Sequence, residues 1–310
     1  MANQTRRDFL KWSAAAGGAV ALSKVASAQD ASATMAIARC NSAPVDPAAF
    51  SAMAVKMTTQ AVDALGGMQR FVKSGDSVWV KPNIGWDRVP ELAANTNPDV
   101  VATLVKLCLA AGAKQVKVGD YTCNEATKSY VSSGIEAAAK AAGAEIVYID
   151  TNRFREIDLK GKILKKWPVY PDIVEADLII NCPVVKHHSI ATMTGCMKNY
   201  MGICDNRQKW HQNLSQCLCD ITKFLQPKAR LCVLDAIRIL TANGPTGGDP
   251  KDVKQLNTLA AGTDIVALDA WGAELLGHKP EAIPSIAAGF AEGLGVMDYR
   301  SLSPREIEIA

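Results

Sequence analysis

Five short apolar runs, each closing on polar side chains, constrain the fold of this chain more than any other feature. SVWVKPN closes on Lys81 and Asn83, VKVGD on Asp120, IVYID on Asp150, DLIINC on Asn181 and Cys182, and LCVLD on Asp235. Alanine-rich helical stretches separate them, and strands that alternate with helices imply a mainly parallel sheet. Open sheets of this kind bind ligands in the crevice beyond the carboxyl ends of their strands. The expected fold is therefore α/β, a mainly parallel open sheet with flanking helices and a shared polar face at the strand ends.

The pattern predicts strands over 34–39, 77–81, 115–119, 145–149, 176–181 and 230–234. It predicts helices over most of 46–71 and over 129–142, 264–277 and 280–292. Another starts at Asn97-Pro98-Asp99, where a capping residue, a first-turn proline and an acidic residue stand in order. Residues 155–170 alternate around Lys160-Gly161 and read as a small hairpin. Residues 189–226 read as mostly helical, within a cysteine-rich insertion of about 182–226.

The amino terminus is an address. Thr5-Arg6-Arg7-Asp8-Phe9-Leu10-Lys11 matches the twin-arginine export pattern, an apolar run from Trp12 to Leu22 follows, and Ala26-Ser27-Ala28 offers a cleavage site. That run is about half the roughly 20 residues a membrane span needs, so no stable membrane anchor is expected. Residues 1–28 are thus a signal peptide, residues 29–310 a single α/β domain, and the expected location is the periplasm, reached through the twin-arginine translocase. Removing the leader's four basic residues and one acidic residue from totals of 34 and 31 leaves 30 of each. A near-neutral mature chain carries no nucleic-acid footprint. The absence of GxSxG, HExxH and GxGxxG argues against common hydrolase, zinc-protease and dinucleotide-binding classes.

Several ordered motifs lie between 77 and 300. They are Lys81-Pro82-Asn83, Pro183 to His188 (PVVKHH), Thr194 to Gly202 (TGCMKNYMG), Gly244 to Gly248 (GPTGG) and Asp264 to Asp269 (DIVALD). In these the chain resembles the domain of unknown function 362 family. The resemblance implies an α/β core whose motif segments serve a common ligand face. Many members of that family look like iron–sulfur proteins through an appended CxxCxxC module. This chain lacks the module, so a cluster here would draw on core cysteines.

Cys182, Cys196, Cys204, Cys217 and Cys219 fall within 38 residues, with His187, His188 and His211 interleaved. An iron–sulfur cluster needs about four thiolates, and a zinc site takes cysteine and histidine together. The spacings x13, x7, x12 and x1 match no standard pattern. Disulfides are the alternative in an oxidising compartment, and nine cysteines leave one over. Cys108 and Cys232 lie in apolar runs and read as small buried hydrophobes. Asp264 reads as a helix N-cap, and Gly244–Gly248 as either an anion-binding loop or a plain turn.

The leading expectation is a redox or electron-transfer protein holding an iron–sulfur cluster, of the four-iron type, or a metal. Its ligands would be the five cysteines, helped by His187, His188 or His211, and it would have a redox partner protein. The alternative is a non-redox enzyme or binding protein for a small anionic metabolite, with the cysteines as disulfides. Its cleft would use Lys81, Asn83, Asp120, Lys186, His188, Lys198 and Asp235.

Overall fold

A computed structural model describes residues 33–310 apart from Ala43 and Val45, so the leader lies outside the described residues. β1 (Met35–Cys40) alternates, with Ala36 and Ala38 packed on one face of the sheet and Met35 and Ile37 on the other. α1 (Pro47–Ala64) begins where the Asp46 carboxylate accepts the Ala49 N–H at 2.8 Å. It stops short of the expected 71 because Gly66 and Gly67 take φ of 100° and 79°. β2 (Ser77–Pro82) leads to α2 (Pro98–Ala110), capped by Asn97 as its sequence predicts.

β3 (Gln115–Val118) follows. The single helix expected over 129–142 is instead two, α3 (Ala126–Ser132) and α4 (Ile135–Ala141), parted by Gly134 at φ 71°. β4 (Glu145–Ile146) is a remnant of the longer strand expected there. The hairpin is present, β5 (Arg155–Asp158) pairing antiparallel with β6 (Lys166–Val169).

α5 (Pro171–Glu175) and β7 (Leu178–Cys182) come next, followed by β8 (Val184–His188) and β9 (Thr192–Thr194). The segment after β9 is less helical than expected. It holds α6 (Cys196–Asn199), two 3₁₀ turns (Tyr200–Ile203 and Arg207–Asn213) and only then α7 (Leu214–Leu225). Asn206, at φ 52°, breaks the path between the two turns. β10 (Ala229–Leu240) outruns the predicted 230–234. β11 (Val253–Gly262), α8 (Ile265–Leu275), α9 (Pro284–Ala291) and β12 (Arg305–Ile309) close the chain.

Ten strands form one sheet in the order β12-β1-β11-β10-β7-β2-β3-β4, with β8 beside β10 and β9 beside β8. The run β10-β7-β2-β3-β4 is parallel throughout, and β11 is the antiparallel intruder, pairing with both β10 and β1. Both faces are covered. Met57 of α1, Leu104 of α2 and Ile135 of α4 share one core. Leu218 of α7, Trp271 of α8 and Ile286 of α9 share the other. Two-sided burial is why the central strands read as continuous apolar runs. None of the described helices is long and apolar enough to cross a membrane.

Candidate functional site

β7, β2 and β3 are neighbours and parallel, so their carboxyl ends bring Asn181, Lys81 and Asp120 together. Lys81 is fully buried. Its Nζ donates to Asp120 Oδ1 at 2.7 Å, to the Pro82 carbonyl at 2.9 Å and to Asn199 Oδ1 at 3.2 Å. Asp120 Oδ2 accepts the Ile84 N–H at 2.8 Å. Asn199 ties the layer: its Nδ2 donates to Asn181 Oδ1 at 2.8 Å and to the Lys81 carbonyl at 3.1 Å, while its Oδ1 also accepts from Asn83 Nδ2 at 3.1 Å. Every donor and acceptor of the carboxamide is used, so this layer is a fixed floor.

Asn199 is positioned from the far side by Asp269 of α8, which accepts the N–H of Met197 at 3.1 Å and that of Cys196. A Cβ on Gly195 would lie 2.3 Å from Asp269 Oδ1, so glycine is what allows the carboxylate to approach. Burial pushes the Asp269 carboxyl up to about 6, against the pull of those N–H groups. Asp264, five residues earlier, is the N-cap its sequence suggests, accepting the Ala267 N–H at 2.9 Å.

Above the floor opens a cavity of about 430 Å³, within the range of small-molecule sites. Its lining includes Asn83, Asp120, Lys186, His188, Lys198, Asn199, Asp205, Arg207 and His211, with Cys123 and Pro245 at the walls. Lys186 Nζ donates to Asn83 Oδ1 at 2.8 Å and to the Ala94 carbonyl. Arg207 donates to the carbonyls of Tyr121 at 2.7 Å and Thr122 at 2.8 Å. The Lys198 side chain has neither hydrogen bond nor ion pair among the described residues. Three cations thus face one cavity, and none is paired with a carboxylate among the described residues.

Burial drives the electrostatics. It lowers Lys186 to about 7, and burial together with the Arg207 charge lowers Lys198 to about 8. Amines in that range can both bind an anion and accept a proton near neutrality. His188 is pushed down to about 3 by burial and then by Lys198, so its ring is neutral. Its Nδ1 accepts the N–H groups of Ile190 at 3.1 Å and Ala191 at 3.2 Å. The ring proton therefore sits on Nε2, and His188 is a hydrogen-bond donor rather than a base.

Three expected residues lie elsewhere. Asp235 is buried outside the cavity, accepting from the N–H of Asn97 at 2.8 Å and of Ile237 at 3.0 Å, where it anchors the start of α2. Asp150 caps an exposed 3₁₀ turn, because β4 ends too early to deliver it to the site. His187 accepts the Gly244 N–H at 3.1 Å, which removes that N–H from any anion-binding role. Conversely, Arg207, Asp205 and Cys123 belong to the cavity without having been expected there.

The cysteines do not fit a cluster. Cys182 packs in the α1–α2 core, while Cys196, Cys204, Cys217 and Cys219 pack in the core on the opposite face of the sheet. Burial raises every one of these thiols, Cys217 and Cys219 to about 11, which disfavours the thiolate a metal needs. No three His, Cys, Asp or Glu side chains among the described residues converge to hold a metal, His187, His188 and His211 included. No two cysteines are bonded to each other among the described residues. Anaerobically isolated mature protein is expected to be colourless and free of stoichiometric iron and sulfide. Its visible spectrum and elemental analysis check this, and a dithionite-bleached absorption would contradict it.

The family model described as domain of unknown function (DUF362) matches residues 78–274, the stretch that contains the whole floor and cavity. This chain belongs to the DUF362 family. A twin-arginine translocation pathway signal sequence matches residues 3–23, so this DUF362 protein is exported through the twin-arginine translocase to the periplasm. The thylakoid-associated protein sll1697 of Synechocystis sp. (strain ATCC 27184 / PCC 6803 / Kazusa) is 31% identical over 261 residues, covering 80% of this chain and 79% of that protein. Among solved structures, the lactate racemase apoprotein from Thermoanaerobacterium thermosaccharolyticum aligns over 79% of this chain with a TM-score of 0.48 and 13% identity. The chain spans 58% of that structure's length.

Proposed function

We propose that this DUF362 protein binds a small anionic metabolite, a carboxylate or phosphate compound, in the cavity above the Lys81–Asp120 floor. The observation that carries the reading is the set of three cations, Lys186, Lys198 and Arg207, facing one cavity with no carboxylate partner. Lys186 is buried and Lys198 and Arg207 are half-buried; charge withdrawn from water without a counter-charge is costly, and a bound anion offsets that cost. Lys198 and Arg207 supply charge, His188 Nε2–H supplies direction, and the fixed floor holds them in place. Asp120 does not neutralise the cavity, because its charge is committed to Lys81 and the Ile84 N–H.

The pH dependence follows from the amines. An amine carries charge below its pKa, so with Lys186 at about 7 and Lys198 at about 8 both are cationic in mild acid. As pH rises the pocket loses first the Lys186 charge and then that of Lys198, and a bound anion displaces both steps upward. Anion affinity measured calorimetrically should fall about tenfold or more between roughly pH 6 and pH 9. Lys198→Met should weaken phosphate and citrate binding about tenfold at the lower pH and flatten the profile. An affinity that ignores both pH and Lys198, or a cavity that binds no anion, would overturn the reading.

A further inference from the structure

We propose that Cys123 is a thiol–disulfide exchange site for small anionic disulfides, built into the wall of the cationic cavity. The inference rests on the reading of that cavity as an anion site and adds a chemical step to it.

Eight of the nine cysteines are buried; Cys123 is the exposed one, and it lines the cavity. Its loop is held in place: the Cys123 N–H donates to the Gly85 carbonyl at 2.8 Å, and Thr122 Oγ1 to the Asn124 carbonyl at 2.7 Å. Arg207 Nη2 stands 3.6 Å from Cys123 Sγ. The guanidinium is fixed there by two backbone carbonyls and by the Tyr121 ring, whose centroid lies 4.4 Å away. A second observation points to a ligand in the same space. His188 is only 8% exposed, its Nδ1 is taken by backbone N–H groups, and its Nε2 has no partner among the described residues. Lys186 and Lys198 line the same cavity as the Cys123 sulfur.

The chemistry balances without another reagent. Cys123 loses its proton to solvent, and the thiolate attacks one sulfur of a low-mass disulfide. One S–S bond forms as the old one breaks; the electron pair leaves with the departing thiolate, which takes a proton from water. The disulfide is the oxidant and Cys123 is oxidised to the mixed disulfide. Negative charge spread along three sulfurs in the transition state is stabilised by Arg207 and Lys198. Carboxylate-bearing disulfides are favoured over neutral ones because the same cations attract them. The periplasm is oxidising, so such disulfides persist there. An adduct on Cys123 occupies the cavity, and anion binding is thereby tied to thiol redox state.

The test uses the native mature protein with a dianionic aromatic disulfide, 5,5′-dithiobis(2-nitrobenzoate), and with neutral dipyridyl disulfide. One thiol per chain should react fast in the native state, and all nine should react in denaturant. Cys123→Ser should abolish the fast phase. The rate with the anionic reagent, relative to the neutral one, should drop about tenfold in roughly 0.5 M salt, and phosphate should slow it. A fast phase that survives in Cys123→Ser, or an absence of charge preference, overturns the proposal. The two readings fail separately. Phosphate binding by calorimetry with no fast native thiol sinks the exchange site alone. A fast thiol lost in Cys123→Ser, in a protein that binds no phosphate, sinks the anion site.

Discussion

Asp120→Asn is expected to lower the unfolding free energy by about 3–5 kcal/mol, the usual cost of removing one partner from a buried ion pair. Lys81 is 0% exposed and Asp120 3%, so solvent cannot take over the lost interaction. Asparagine keeps the shape and loses more than the charge. The native carboxylate accepts from Lys81 Nζ on one oxygen and from the Ile84 N–H on the other. A carboxamide has one oxygen, so its NH₂ must face one of those two donors. Lys81 then keeps a buried charge with only neutral oxygens around it, or gives up its proton, a change burial already favours. The floor loosens in either case, and anion affinity should fall with stability because Asn199 and Lys198 are consecutive. Urea unfolding of the mature protein checks the first effect and calorimetry the second. A stability loss below about 1 kcal/mol would show that Lys81 does not depend on the carboxylate. Removing both charges with Lys81→Met and Asp120→Leu should recover part of the loss.

The floor was legible in the sequence because adjacent parallel strands share a carboxyl edge. Reading Lys81, Asp120 and Asn181 as strand-end residues was enough to place them together. Lys186, His188 and Lys198 were legible through their motifs, and all three line the cavity. Arg207 and Cys123 were not, since they lie in a 3₁₀ turn and a loop, where no periodicity reports which way a side chain faces. β11 was missed because its run, VKQLNTLAAG, is polar for its first half and pairs antiparallel within an otherwise parallel neighbourhood. The cysteines are spread over two cores for a physical reason. Closeness in sequence suggested convergence, yet Cys217 and Cys219 are two apart on α7 and so point about 200° from one another. Cys182 belongs to a strand whose alternate residues face the opposite core. These thiols behave as the small apolar side chains that Cys108 and Cys232 were read to be.

Gly202→Ala should be as damaging as losing the carboxylate, although the substitution adds one methyl group. Gly202 is not among the residues with positive φ, so alanine can adopt its backbone and the cost is steric. A Cβ built there lies 1.8 Å from Asp120 Oδ1 and 2.9 Å from Lys81 Nζ, inside both partners of the ion pair. Asp120 has nowhere to retreat. Its carboxylate is held by Lys81 and Ile84, its own N–H donates to the Tyr130 hydroxyl at 2.7 Å, and the next residue's N–H bonds the Gly202 carbonyl at 2.9 Å. Either the carboxylate rotates off Lys81 or the turn Tyr200–Ile203 moves away from the floor, taking the cavity wall with it. The expected loss is about 3 kcal/mol or more, read from urea unfolding. A double-mutant cycle isolates the cause. With Asp120→Ala in place, the space filled by Oδ1 is open, and the remaining close contact is the end of the Lys81 chain. Adding Gly202→Ala to that background should then cost little, giving a coupling of about 2 kcal/mol or more. If the two changes add to within about 0.5 kcal/mol, glycine is required there for some reason other than the approach of Asp120.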